Sequence, residues 1–140
     1  MNKKNETLKT TFLSALEYYK KKDFKNAELY CYKILSIDPY NFDSLSLLAS
    51  ISAFSKNFNK AIELLNKAIE VQPKNKTAIH NLGTAYKELG KFEEAKDYYE
   101  KVLAIDPKHT NANYNLGLIA YKLKDLKTAK IFFKKTVNMQ

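Results

Sequence analysis

The sequence predicts an all-α chain built from four repeated helix pairs, and three observations carry that prediction. The only prolines, Pro39, Pro73 and Pro107, lie 34 residues apart, each in a similar stretch: SIDPYNFDS, EVQPKNKTA and AIDPKHTNA. Four residue columns repeat at the same period: Ala27, Ala61, Ala95, Ala129; Phe24, Phe58, Phe92, Leu126; Ala15, Ala49, Gly83, Gly117; and Ile37, Val71, Ile105, Met139. Composition agrees, since the chain is 45% apolar with three Gly and three Pro, as suits a folded helical protein. A fixed period of this length marks a repeat array.

The period divides the chain into 8–41, 42–75, 76–109 and 110–140, with residues 1–7 expected as a tail. Each unit reads as two helices. In the third, Ile79, Leu82, Tyr86 and Leu89 recur at helical spacing, and Gly90 offers a left-handed residue to close that helix. Phe92, Ala95, Tyr99, Val102, Leu103 and Ile105 form the next apolar face, ended by Pro107, which biases Asp106 away from helical dihedrals. Asp23, Asn57 and Asp125 are good N-caps for the second helices, whereas Lys91 in the third unit is not. The Ala and Gly columns predict close helix packing, because glycine within a helix costs about 1 kcal/mol against alanine and needs a compensating contact.

This pattern resembles the tetratricopeptide repeat over residues 8–140, most fully in HNLGTAYKELGKFEEAKDYYEKVLAIDP. The family's usual Trp is replaced by Thr11, Leu45, Ile79 and Asn113, and the first unit has Ser14-Ala15 in place of Leu-Gly. The resemblance implies a right-handed α-solenoid whose first helices line a concave groove. Carried over position by position, it places Phe12 and Tyr19 in that groove in the first unit. In the third and fourth units it places there His80, Asn81, Thr84 and Lys87, then Asn111, Tyr114, Asn115, Tyr121 and Lys122. Asn81 and Asn115 stand one repeat apart, resembling the asparagine ladder of O-linked N-acetylglucosamine transferases, whose amides can pair with a peptide backbone of any sequence. Aromatics on the same positions, Phe54 included, would add contact area. The positions that grip a chaperone-tail carboxylate in one subfamily carry no cation here, so that ligand is not expected.

The net charge of +9 is carried entirely by Lys, without Arg, and is diffuse, so nucleic-acid binding is disfavoured. The third unit is neutral, while the fourth has six Lys against Asp125 alone. Neither a membrane span nor a secretory signal is expected, and a single Cys31 excludes an intramolecular disulfide; a cytoplasmic protein is the expectation. Cys31 shares an apolar column with Leu65, Tyr99 and Phe133 and reads as core. With no HExxH, phosphate-cradling loop or Gly-x-Ser-x-Gly elbow, no enzyme, cofactor or metal is expected.

The expected function is a non-catalytic scaffold that holds a peptide segment or partner protein in its groove. The alternatives are a substrate-recruiting module of a larger glycosyltransferase or sulfotransferase, and a self-assembling scaffold. In the last helix, Phe133 and Val137 should pack inward by column, leaving the remainder, Ile131, Phe132 and Met139, as an exposed patch for self-association or for a longer array.

Overall fold

The computed structural model describes residues 2–139, and every regular element among them is a helix. These are α1 (Lys3–Lys20), α2 (Phe24–Ile37), α3 (Phe42–Phe54), α4 (Phe58–Val71), α5 (Lys76–Glu88), α6 (Phe92–Ile105), α7 (Thr110–Lys122) and α8 (Leu126–Val137). The chain forms two compact units, one ending at Pro73 and holding α1–α4, the other beginning at Lys74 and holding α5–α8. Within each helix pair, three residues connect the helices, a link short enough to make them antiparallel neighbours.

Those short links have a common construction. Lys22, Lys56, Gly90 and Lys124 all have positive φ, between 58° and 75°. The glycine identified the turn in one unit, and lysine adopts it in the other three. The following residue caps the next helix: Asp23, Asn57 and Asp125 each accept a hydrogen bond from the backbone N–H three residues on, while Lys91 makes no side-chain cap. Pro39, Pro73 and Pro107 each lie just beyond the second helix of a pair.

The first helix is longer than its repeat. Residues 3–7 of the expected tail are helical, and Asn2 caps α1 by accepting from Lys4 N–H.

In the first unit, Ala15, Ala27, Cys31, Leu47, Leu48 and Ile51 form the core, with Phe12, Tyr19, Phe24 and Leu64 packed against it. In the second, Leu82, Ala95, Tyr99, Val102, Leu116, Ile119 and Ala129 are buried. Each large apolar side chain so buried contributes about 1.5–3 kcal/mol. The small columns lie where the helices of a pair meet: Gly83 faces the Tyr99 ring and Gly117 that of Phe133. In the place of the family's Trp, Asn113 is buried, its amide donating to the carbonyls of Pro107 and His109 and so tying the loop to α7.

One inward expectation fails. Val137 is 68% exposed, whereas Leu35 and Leu103 in its column are half-buried, where α3 and α7 pack against α2 and α6. Phe132 and Met139, expected to be exposed, are instead half-buried, and Ile131 joins Val137 at the surface.

Candidate functional site

The candidate residues fall into one set in each unit. In the first, Phe12 and Tyr19 of α1 are half-buried and support the core. Tyr19 packs on Phe24, and Phe24 on Phe54, at ring separations of 5.6 and 4.6 Å. Phe54 nevertheless stays 65% exposed and Leu13 57%, so these two supply the accessible apolar surface of α1 and α3.

In the second unit the candidates on α5 and α7 converge on Asn115. Although its counterpart Asn81 is exposed, Asn115 is buried and its amide is used within the protein. Its Oδ1 accepts from Lys87 Nζ at 2.8 Å, and its Nδ2 donates to the Asn111 carbonyl at 2.8 Å. Lysine is only a donor and a carbonyl only an acceptor, so the amide orientation is fixed. The same Nδ2 lies 3.3 Å from His80 Nε2, an arrangement that suits the neutral imidazole with Nε2 as acceptor. Thr84 bridges the His80 carbonyl and the Tyr99 hydroxyl at 3.1 and 2.9 Å.

His109 completes the cluster, a neighbour that its distance from His80 along the chain did not suggest. Its ring lies 5.2 Å from that of His80, and the Tyr99 ring lies 5.3 Å from that of His80. The repeat explains the juxtaposition: His109 is the N-cap of α7, taking the Ala112 N–H on Nδ1 at 3.1 Å, and the loop before α7 returns beside α5. Burial and, secondarily, the charge of His109 hold the His80 imidazole below its ordinary pKa, against an opposing hydrogen bond with Asn81. Burial also pushes the Tyr99 phenol up to about 12.

Around this braced interior lie the accessible groups. Asn81, Asn111, Tyr114, Tyr121 and Lys122 are exposed. Tyr114 rests against Phe133 at 5.9 Å, and Lys122 lies 5.8 Å from the centre of the Phe92 ring. Thus α5 and α7 present amides and phenols on a face whose supporting polar groups are already paired.

Cys31 is fully buried and burial pushes its thiol up to about 12, which suppresses the nucleophilic thiolate. No group of three or more metal-capable side chains occurs among the described residues, and no helix of the structure is long and apolar enough to cross a membrane.

Comparison with known proteins agrees with this architecture. Crystal structures of MamA are similar to the chain with a TM-score of 0.89, one at 25% identity over 96% of this chain and 74% of that one. Another is 23% identical over 94% and 77%. MamA 41-end from Desulfovibrio magneticus RS-1 has a TM-score of 0.88 at 20% identity, over 94% of this chain and 75% of that chain. No curated protein matches the sequence. Tetratricopeptide repeat models match residues 9–41, 40–108 and 77–140, which together span nearly the whole sequence. With the helix pairs, the small-residue contacts and the left-handed turns recurring at that period, the chain belongs to the tetratricopeptide repeat family.

Proposed function

We propose that the protein is a non-catalytic interaction scaffold that holds an extended segment of a partner protein on the α5–α7 face. The observation that carries this reading is the division of labour around Asn115. Lys87, Asn111 and His80 occupy its amide, so the interior of the face is rigid before any ligand arrives. Pre-organisation of this kind lowers the entropic cost of binding. Asn81 and Asn111 then offer exposed amides to a peptide backbone, while Tyr114 and Tyr121, 47% and 61% exposed, offer aromatic contact. Asn81 reads the ligand; Asn115 positions its neighbours.

The test is capture of bound proteins from a lysate, mapping of the bound segment, and calorimetric titration with that peptide. Asn81→Ala combined with Tyr121→Ala should weaken binding about tenfold or more, the loss of roughly 1.4 kcal/mol or more, with an unchanged melting midpoint. Equal affinity of parent and variant would remove this face from the account.

Self-association is a second reading, favoured by Ile131 and Val137, which are 49% and 68% exposed on α8. Sedimentation equilibrium of the parent and of a variant with both residues changed to Lys tests it. A monomeric parent would dismiss it.

A further inference from the structure

A stacked pair of tyrosines occurs in the first and third repeats, and the fourth repeat keeps only one ring of it. In the first unit Tyr18 stacks on Tyr30 at 5.4 Å, with Lys33 Nζ 4.5 Å over the Tyr30 ring. In the second, Tyr86 stacks on Tyr98 at 5.4 Å and 7°, with Lys101 Nζ 4.6 Å over Tyr98. These triads lie 68 residues apart, two repeats. The fourth repeat keeps the platform and its cation, as Phe132 with Lys135 Nζ 5.2 Å away, but has Ala120 where Tyr18 and Tyr86 stand. Beside Ala120 lies a cavity of about 70 Å³, walled by Ile119, Leu123 and Phe132, with Lys96 and Asp125 at its edge.

The second repeat shows the alternative. It too lacks the tyrosine, having Ser52 and Leu64, and there Lys60 stands in the place of Thr128, paired with Glu28 at 3.6 Å and lying over Tyr32. In the fourth repeat Thr128 is too short to reach across in this way, and Lys96 stands where Glu28 would be in register with it.

We propose that this cavity is a docking site for a tyrosine side chain from an acidic segment of a partner protein, its ring taking the place on Phe132 that Tyr86 takes on Tyr98.

The surroundings of Tyr86 specify the tip of that side chain. Burial raises the pKa of the Tyr86 phenol, with smaller and opposed effects from the charges of Lys91 and Glu94. Their counterparts one repeat on, Asp125 and Thr128, both line the cavity. A carboxylate at this point accepts a hydrogen bond from a phenol O–H, which favours tyrosine over phenylalanine. The enclosed volume is below the roughly 150 Å³ that holds a whole benzene. Tyr86 is itself only half-buried, so the occupant sits edge-in with one flank in solvent. Charge selects the flanking residues: the fourth repeat carries six Lys against Asp125 alone. By helical spacing Ala120 and Leu123 lie on the side of α7 opposite Tyr114 and Tyr121, so this site is separate from the α5–α7 face.

The experiment is amide NMR titration of the whole chain with acetyl-Glu-Asp-Tyr-Asp-Glu-amide and with the same peptide carrying Ala in place of Tyr. The tyrosine peptide should shift the amides of Ala120, Leu123 and Phe132, and the alanine peptide should bind about tenfold more weakly. Ala120→Tyr installs the missing ring and should abolish the shifts. Phe132→Leu, which reproduces the second repeat's Leu64, should weaken binding and keeps a test in hand if Ala120→Tyr does not fold. Equal binding of the two peptides, or a tyrosine peptide that still binds folded Ala120→Tyr, would overturn the proposal. So would unchanged binding by Phe132→Leu. Ala120→Tyr that instead dissociates a dimer of the parent would overturn it in favour of a second copy.

Discussion

Gly117 lies so close to Phe133 that a Cβ on the glycine would stand 2.6 Å from the ring's Cε1. The pairing recurs at every repeat and its chemistry covaries within the chain. Within their repeats the two columns pair Ala15 with Cys31 and Ala49 with Leu65, neither of them aromatic, whereas Gly83 and Gly117 meet the rings of Tyr99 and Phe133. The glycines make room for rings.

Gly117→Ala should therefore destabilise the protein by about 1–3 kcal/mol, an overpacking cost that outweighs the gain of roughly 1 kcal/mol in helix propensity. Adding Phe133→Leu should recover most of the loss, a coupling that urea denaturation of the four proteins in the cycle measures. Gly83→Ala, where the nearest Tyr99 atom is 3.1 Å away, should be closer to neutral. An additive double mutant would show that the ring is not what the glycine accommodates.

The left-handed turns give a second expectation. Lys56 has φ 61° in the place where Gly90 has φ 75°. A residue with a Cβ pays roughly 1–2 kcal/mol for that conformation. Lys56→Gly should raise the urea midpoint, and Gly90→Lys should lower it by a similar amount. A midpoint lowered by Lys56→Gly would mean the lysine stem contributes more packing than its backbone costs.

The helix pairs were legible because their determinants are local and recur: the prolines, the small columns and the caps at Asp23, Asn57 and Asp125. What escaped was set by contacts between repeats. Asn81 and Asn115 look equivalent by column, yet Asn115 is buried and held by Lys87, His80 and the Asn111 carbonyl together, while Asn81 is exposed. His80 and His109 meet only because a loop returns beside a helix. The cavity at Ala120 was present in the sequence as a missing tyrosine, but its significance needed the stacked pairs to be seen first. Val137 broke its column because inward and outward positions depend on a covering helix, which periodicity alone does not report.

Ser44 presents a separate imbalance. It is fully buried on α3 and its hydroxyl has no hydrogen-bond partner among the described residues, while Ala78 and Ala112 fill the same column. The N-cap bond from Ser44 N–H to Asn41 Oδ1, 3.0 Å, uses backbone and survives substitution. Ser44→Ala should stabilise the protein by about 1 kcal/mol by removing a desolvated hydroxyl. Thermal melts read the change, and a lowered midpoint would show that the hydroxyl is satisfied.

The last expectation concerns acid. His80 faces Asn81 and Lys87 on its own helix, Tyr99 on α6, and Asn115 and His109 at α7. Its pKa in the folded protein is lowered from 6.5, first by burial and then by the charge of His109. The unfolded chain therefore binds a proton more readily than the folded one, so folding favours neutral His80. That contribution is complete above about pH 6.5 and is lost as pH falls from there toward and below the folded value. The lowered carboxyls of Asp23, Asp106 and Asp125 act in the same direction, but their contributions are lost only below about pH 4. Protonation also places an N–H of His80 against the Asn115 amide nitrogen, and turning that amide would take its oxygen from Lys87. Urea midpoints at pH 7 and pH 5.5 should fall for the parent and fall less for His80→Gln, which keeps an acceptor without titrating. Identical pH dependence in the two proteins would mean that His80 accepts its proton without disturbing Asn115.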